Sequence, residues 1–311
     1  MVEREIRKEG VTDSLTQGSG REELLSQIGE AQTFRTRLGK LVRDNKLAVF
    51  SAVLILLIIL AAVFAPYLTP YNDTDMDLLG RLSPPSAKHL LGMDEGGRDV
   101  LTRMLYGARI SLLVGVVPTL LSMVLGAALG ILAGFRGGWV DAVIMRLADI
   151  TLAFPSMLLA MVIMYTLGGG LINIFLTLTL VNWAEVARIL RAQTLQLKER
   201  EFVEAARVIG VPRPVIMLRH ILPNCVPTLI VLFTLNVPSS ILTESSLSFL
   251  GMGIQPPGSS WGLMVNVGRQ YLYNAPWVSF MPGLAIMLIV LAFNFLGDGL
   301  RDVLDPHLKE S

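Results

Sequence analysis

The chain has 311 residues, of which 52% are hydrophobic and 16% charged, with a formal net charge of +1. A soluble domain carries about a quarter charged residues, and here the apolar excess is gathered into long blocks, which places the chain in a bilayer and excludes a water-soluble globule. The even charge balance gives nucleic acid no footing. The single Cys225 excludes an internal disulfide, and His89, His220 and His307 show no metal-ligand spacing.

Residues 1–46 read as a polar N-terminal tail. The opening MVEREIRKEG is mixed in charge and no apolar run precedes residue 47, so a cleaved signal peptide does not fit. Residues 34–46 are basic, which suits either a segment lying on anionic headgroups or a positive flank that orients the first span. About 20 apolar residues are needed to cross roughly 30 Å of hydrocarbon. The first span is expected at 47–65, stopping at Pro66. An external segment, 66–109, follows; Gly96 and Gly97 break it, and 98–109 reads as an interfacial helix with Val100, Leu101, Met104, Leu105 and Ala108 on its apolar side.

The permease-like core is expected at 110–300. Its second span falls at 110–134, the third at 143–167, the fourth at 171–187 (weakened by Glu185), the fifth at 221–243 and the sixth at 280–297. Between the last two, residues 244–279 hold GMGIQPPGSSWG, whose paired prolines and glycines suggest a rigid loop at the membrane surface, with Trp261 or Trp277 at headgroup depth. Residues 301–311 form a short C-terminal tail.

Six spans put both termini on one side. With the N-terminus inside, twenty of the 26 lysines and arginines fall on inner segments and six on outer ones, so the excess of positive charge places both termini in the cytoplasm. The fold class is an all-α membrane protein with six transmembrane helices.

In the second span, Gly126, Gly130 and Gly134 recur at every fourth position, a ridge that lets another helix approach closely. The partner is either another helix of this chain or one of a second subunit.

The most informative segment is 201–210, in the inner loop between the fourth and fifth spans. Phe202, Ala205, Ala206 and Ile209 recur at i, i+3, i+4 and i+7, one face of a short helix. Gly210 suits the left-handed residue that closes it. Pro212 stops the helix and Pro214 starts the next, which climbs into the fifth span and is kinked by Pro223. Small Ala205 and Ala206 would let this peg sit deep in a partner's groove, with Phe202 or Ile209 as the buried contact.

The run Glu204-Ala205-Ala206, three residues, Gly210, then Leu222-Pro223 resembles the signature of membrane subunits of binding-protein-dependent ABC importers; His220 stands where that pattern often has isoleucine. HLLGMDEGGRDVLTRMLYGAR, FLGMGIQPPGSSWG and LAFNFLGDGLRDVLDP are similar to strings of the dipeptide/oligopeptide/nickel permease family, specifically its shorter C-type subunit, and the likeness runs from about residue 35 to the end. It implies the type I ABC importer permease fold in a bacterial or archaeal inner membrane. It implies a homologous sister permease, two ABC ATPase subunits, an extracytoplasmic solute-binding protein and surrounding lipid as partners. Residues Glu204 to Gly210 would then be the coupling helix. ATP and Mg would bind to the partner ATPases, with no cofactor in this chain and no catalysis by it. Consistently, the sequence lacks a phosphate-binding loop: Gly39-Lys40 is followed by Leu41, with Phe34 where the first glycine would stand. Peptide is the expected cargo; a dipeptide, an oligopeptide, a glutathione-like peptide or a nickel chelate all fit.

The competing class is a proton-coupled secondary transporter, for which Asp149, Glu185 and Asp298 are the candidate acids. Arg146 lies one turn from Asp149 and Arg188 three residues from Glu185, so local ion pairing is the better account. A membrane enzyme has only Ser239, Ser240 and Ser245 to offer, without an accompanying histidine and acid.

Overall fold

The computed structural model describes residues 45–256 and 258–304. The N-terminal tail up to residue 44, with its basic stretch and Gly39-Lys40, lies outside the described residues, as do Pro257, His307 and the C-terminal tail from 305. Among the described residues the secondary structure is helical, with one isolated antiparallel bridge between Met93 and Asp99.

Helix α1 (Lys46–Val63) is apolar along its length, and a short α2 (Ala65–Leu68) follows with Pro66 in its first turn. The open carbonyls at the end of α1 are met by Arg109, whose Nε donates to Ala62 O at 2.6 Å and Nη2 to Val63 O at 2.9 Å. Helix α3 (Val100–Arg136) has 37 residues and no break at residue 109. The expected interfacial helix is therefore the first three turns of the second span. At 1.5 Å per residue α3 is roughly 55 Å long, so it stands well clear of the hydrocarbon. Its start is fixed by Asp99, whose carboxylate accepts from Thr102 N at 2.8 Å. Burial is not confined to the expected apolar side of this stretch, since Thr102 and Arg103, which lie off it, are buried too. Arg103 is neutralised by the fully buried Asp94, which also takes Arg98 Nε at 2.9 Å and the backbone N–H groups of Gly96 and Arg98, each at 2.8 Å.

The third span departs most from expectation. It consists of α4 (Gly138–Ala153) and α5 (Ser156–Leu167), bent by 94° at Phe154-Pro155. Pro155 supplies no N–H and pushes Phe154 to an extended backbone (φ −96°, ψ 142°), which ends α4 there. Helix α6 (Leu171–Leu197) follows, ten residues longer at its C-terminal end than the fourth span read from hydropathy. After the 201–210 segment come α8 (Arg213–Ile216), a π turn (Met217–Ile221) and α9 (Leu222–Phe249); hydropathy alone treats Arg213–Phe249 as one candidate span. Among the described residues five helices are long and apolar enough to cross a membrane, or six where the bent pair counts as one span.

Helix α9 continues past the expected end of the fifth span, so Glu244 is a buried helix residue rather than the start of a loop. Its Oε1 accepts from Ser248 (2.7 Å) and Ser260 (2.9 Å). Ser260 in turn caps the short helix α10 (Trp261–Gly268). Trp261 is not on a surface loop but opens α10. It is buried, its indole N–H donates to Met104 O at 3.0 Å, and its ring joins a core built from α1, α3, α9, α10 and the last helix, α11 (Trp277–Leu304). Trp277 is half-buried and donates to Met93 O at 3.3 Å.

Helix α3 is the axis of the fold. It contributes Leu112 to the first core, Val114 to a second with α5 and α6, Ile131 to a third with α6 and α9, and Ala133 to a fourth with α4 and α6. Its contact with α6 is the most extensive between any two helices.

Candidate coupling helix

Helix α7 (Glu201–Val208) occupies the expected segment. Glu201 and Glu204 stand in its first turn and Arg207 in its last, the arrangement that complements a helix dipole. Gly210 has φ +79°, and the chain closes on it with two bonds: Gly210 N–H to Arg207 O (3.1 Å) and Val211 N–H to Ala206 O (3.0 Å). These are the two bonds of a Schellman cap, and the accompanying apolar contact is present, since Val211 packs on the Val203, Ala206 and Ile216 cluster. Pro212 then holds the turn and α8 begins at Arg213.

The apolar residues of α7 divide between two faces. Val203 and Ala206 are buried against Ile216 and Phe135 of the same chain. Phe202 (42% exposed), Ala205, Val208 (87%) and Ile209 (78%) point away, with Glu204 also exposed. Ala206 thus anchors the helix instead of facing a groove, which corrects the single stripe read from spacing. Val203 and Val208 are residues that reading missed. The available signal was Val203 three residues before Ala206, and Val208 three after Ala205.

Between α7 and the long α9, the π turn answers to Pro223. That residue has no N–H to offer the carbonyl four residues back, and Leu222 N–H instead bonds to Met217 O, five back. Ile216 and Ile221 are both fully buried at this junction, so the turn is gripped rather than loose.

The glycine ridge lies against α6 of the same chain, the point the spacing left open. A Cβ on Gly126 would meet Trp183 O at 2.7 Å, one on Gly130 would meet Ala187 O, and one on Gly134 would meet Arg191 O at 2.8 Å. All three are backbone atoms, so α3 and α6 pack main chain to main chain.

The candidate acids of the rival transporter reading have different partners from those expected. Asp149 pairs with Arg188 on α6 at 2.8 Å, across helices, and not with Arg146. Glu185 and Asp298 are exposed. Asp141 holds Arg191 through two hydrogen bonds. Ser240 meets Thr119 at 3.1 Å and Ser245 donates to Ile241 O at 2.8 Å, so two of the three serines are engaged in helix contacts.

Residues 126–310 match the family described as binding-protein-dependent transport system inner membrane component, which is more than half the chain. The chain belongs to this family. Residues 40–85 match a second description, the N-terminal TM domain of oligopeptide transport permease C. Individual relatives agree. The dipeptide transport system permease protein DppC of Alkalihalophilus pseudofirmus is 43% identical over 87% of this chain and 89% of its own. The oligopeptide transport system permease protein OppC of Bacillus subtilis is 42% identical over 86% and 88%. The glutathione transport system permease protein GsiD of Pectobacterium atrosepticum is 44% identical over 84% and 87%. Among solved structures, a chain of the MetNI methionine ABC transporter in inward-facing form is 20% identical, with a TM-score of 0.50 over 66% of this chain and 96% of its own, a likeness of fold. Membership makes this a multi-pass inner-membrane permease with the fold of type I ABC importers, a transport family in place of the secondary-transporter reading.

Proposed function

We propose that this chain is the C-type permease subunit of a peptide importer, and that α7 is the lever through which two ABC ATPase subunits drive the pathway it forms with a sister permease. Three relatives named for dipeptide, oligopeptide and glutathione transport support a peptide cargo. A solute-binding protein delivers that cargo on the outer side, and both termini and α7 lie in the cytoplasm, as the distribution of lysine and arginine favours.

One observation carries the lever reading. Helix α7 is clamped to its own chain by Val203 and Ala206 while presenting Phe202, Ala205, Val208 and Ile209 outward. An apolar stripe exposed on a polar helix suits burial against a partner, where each large side chain fully covered contributes about 1.5–3 kcal/mol. Ala205 sits in the middle of that stripe, and its small side chain lets the helix backbone approach a groove. The capped Gly210 turn, Pro212 and the gripped π turn leave little slack between α7 and α9. Closure of the ATPases on ATP therefore displaces α9 with the lever, and α9 carries α3 and α11, against which it packs. The paired permeases rock from inward- to outward-facing, cargo enters from the binding protein, and hydrolysis resets the assembly. ATP and Mg stay on the ATPases.

The test is Ala205→Glu. Uptake of labelled peptide by cells carrying the complete transporter is expected to fall to background while the variant still inserts. Undiminished uptake would reject the lever. Sidedness is read separately with Ala205→Cys, which an impermeant maleimide should label in inverted vesicles and not in intact cells; the reverse pattern would overturn the orientation.

A further inference from the structure

A cleft of about 440 Å³ opens beside α7, lined by Phe135, Arg136, Arg207, Val211, Arg213 and Ile216. Its three arginines come from three separate pieces of chain: the end of α3, the last turn of α7 and the start of α8. No carboxylate among the described residues lines it. Arg98, Arg103, Arg188 and Arg191 all face aspartates, whereas among the described residues none of these three has an acidic partner. Arg207 lies over the Phe135 ring at 5.3 Å, which turns its guanidinium toward the cleft wall. A fourth cation, Lys198, reaches Gly134 O at 3.4 Å, close to the same end of α3. Like charges gathered round one concavity repel unless an anion sits among them, and planar guanidinium groups match phosphate oxygens in pairs.

The depth of the cleft points to the source of that anion. Arg136 ends the long membrane helix, and Trp139, in the first turn of α4 just past the turn at Gly137, is 77% exposed. An exposed tryptophan beside a helix end marks the level of the lipid headgroups. Basic pockets between membrane helices at this level recognise anionic lipid heads.

We propose that Arg136, Arg207 and Arg213 form a binding site for the phosphodiester headgroup of an anionic phospholipid, seated between the end of α3 and the coupling helix. The site would tie the position of the lever to the lipid at its flank. It rests on the membrane placement of the chain and not on docking of an ATPase, so it can fail while the lever reading stands.

The test uses the whole transporter, with its sister permease and ATPases, in nanodiscs of phosphatidylcholine doped with phosphatidylglycerol. Lipid retained on gentle release is counted by native mass spectrometry. Arg207 is left alone because it lies on the lever. In Arg136→Gln/Arg213→Gln, retention of phosphatidylglycerol should weaken about 25-fold, taking each basic side chain near an anionic surface at roughly fivefold. Arg136→Lys/Arg213→Lys keeps the charge and should retain most of the lipid. Arg219→Gln, an exposed arginine outside the cleft, should behave as wild type. Equal retention by the glutamine pair and wild type would overturn the site. So would displacement of the lipid by 10 mM inorganic phosphate, on the order of free phosphate levels that a soluble-anion site would read. Loss of ATPase subunits from the glutamine pair with lipid retention unchanged would also overturn it, by assigning the arginines to a partner's carboxylates.

Discussion

Gly130→Ala tests how closely α3 and α6 are held. An ideal Cβ on Gly130 lands well inside contact distance of Ala187 O and 3.0 Å from Ala187 Cα. Both are backbone atoms, which cannot turn aside as a side-chain tip would, so the two helices must part by about 1 Å to restore contact distance. Parting them loosens Ala127, Val186 and Leu190, buried neighbours along the same seam. Overpacking costs about 1–3 kcal/mol, and a clash with backbone atoms that cannot turn aside belongs at about 2–3 kcal/mol; the better helix propensity of alanine offsets about 1 kcal/mol. The expected net loss is about 1–2 kcal/mol. Gly283 in α11 is the control, because a Cβ there meets nothing within 4 Å. Gly283→Ala keeps the propensity gain without the clash and should be neutral or slightly stabilising. The assay is thermal unfolding of the purified permease in detergent, followed by tryptophan fluorescence. Gly130→Ala should lower the midpoint by about 2–8 °C, at a few degrees per kcal/mol. A Gly130→Ala midpoint equal to wild type, or an equal drop in Gly283→Ala, would refute the claim that these glycines set the spacing of the helices.

Three further outcomes follow from the same geometry. Trp261→Phe removes the indole hydrogen bond to Met104 O and should cost about 1–2 kcal/mol; an unchanged unfolding midpoint would return Trp261 to the surface. Asp94→Asn strips the charge from between Arg98 and Arg103 and should cost about 3–5 kcal/mol, read as protease sensitivity of residues 69–99. Wild-type resistance in that variant would show that the ion pairs are not what holds the segment. Pro223→Ala restores the missing N–H, so the π turn should relax toward α and rotate α7 relative to α9 by up to about 100°, one residue of helix. Peptide taken up per ATP hydrolysed should fall with the complex still assembled, and an unaltered ratio would show that the proline does not set the turn.

Much of α7 was legible because its parts are local. The helix, the Gly210 cap that closes it and the Pro212 stop that follows depend on neighbours in the chain, and the structure has all three. The third span shows where local reasoning stops. Pro118, Pro227, Pro238 and Pro282 lie inside continuous helices, while Pro155 coincides with a 94° bend. The same residue type gives opposite results, because surrounding helices either support the interrupted ladder or leave the chain free to turn. The interfacial helix was misjudged for a related reason. A change from amphipathic to fully apolar sequence alters what a helix faces, not whether its hydrogen bonds continue, so α3 runs through residue 109 unbroken.

The sequence by itself determined which stretches are long and apolar, their approximate places, and the capped helix with its proline turn. Those features follow from hydrophobic runs and from the covalent limits of glycine and proline, which act within a few residues. Tertiary structure alone decided that the glycine ridge meets α6, that Asp149 takes Arg188 across helices, that Trp261 is buried, and that α7 hides Val203 and Ala206 while showing Phe202, Val208 and Ile209. Each depends on how one helix is rotated against another. That rotation is settled by contacts between residues far apart in the chain, which leave no mark on local spacing.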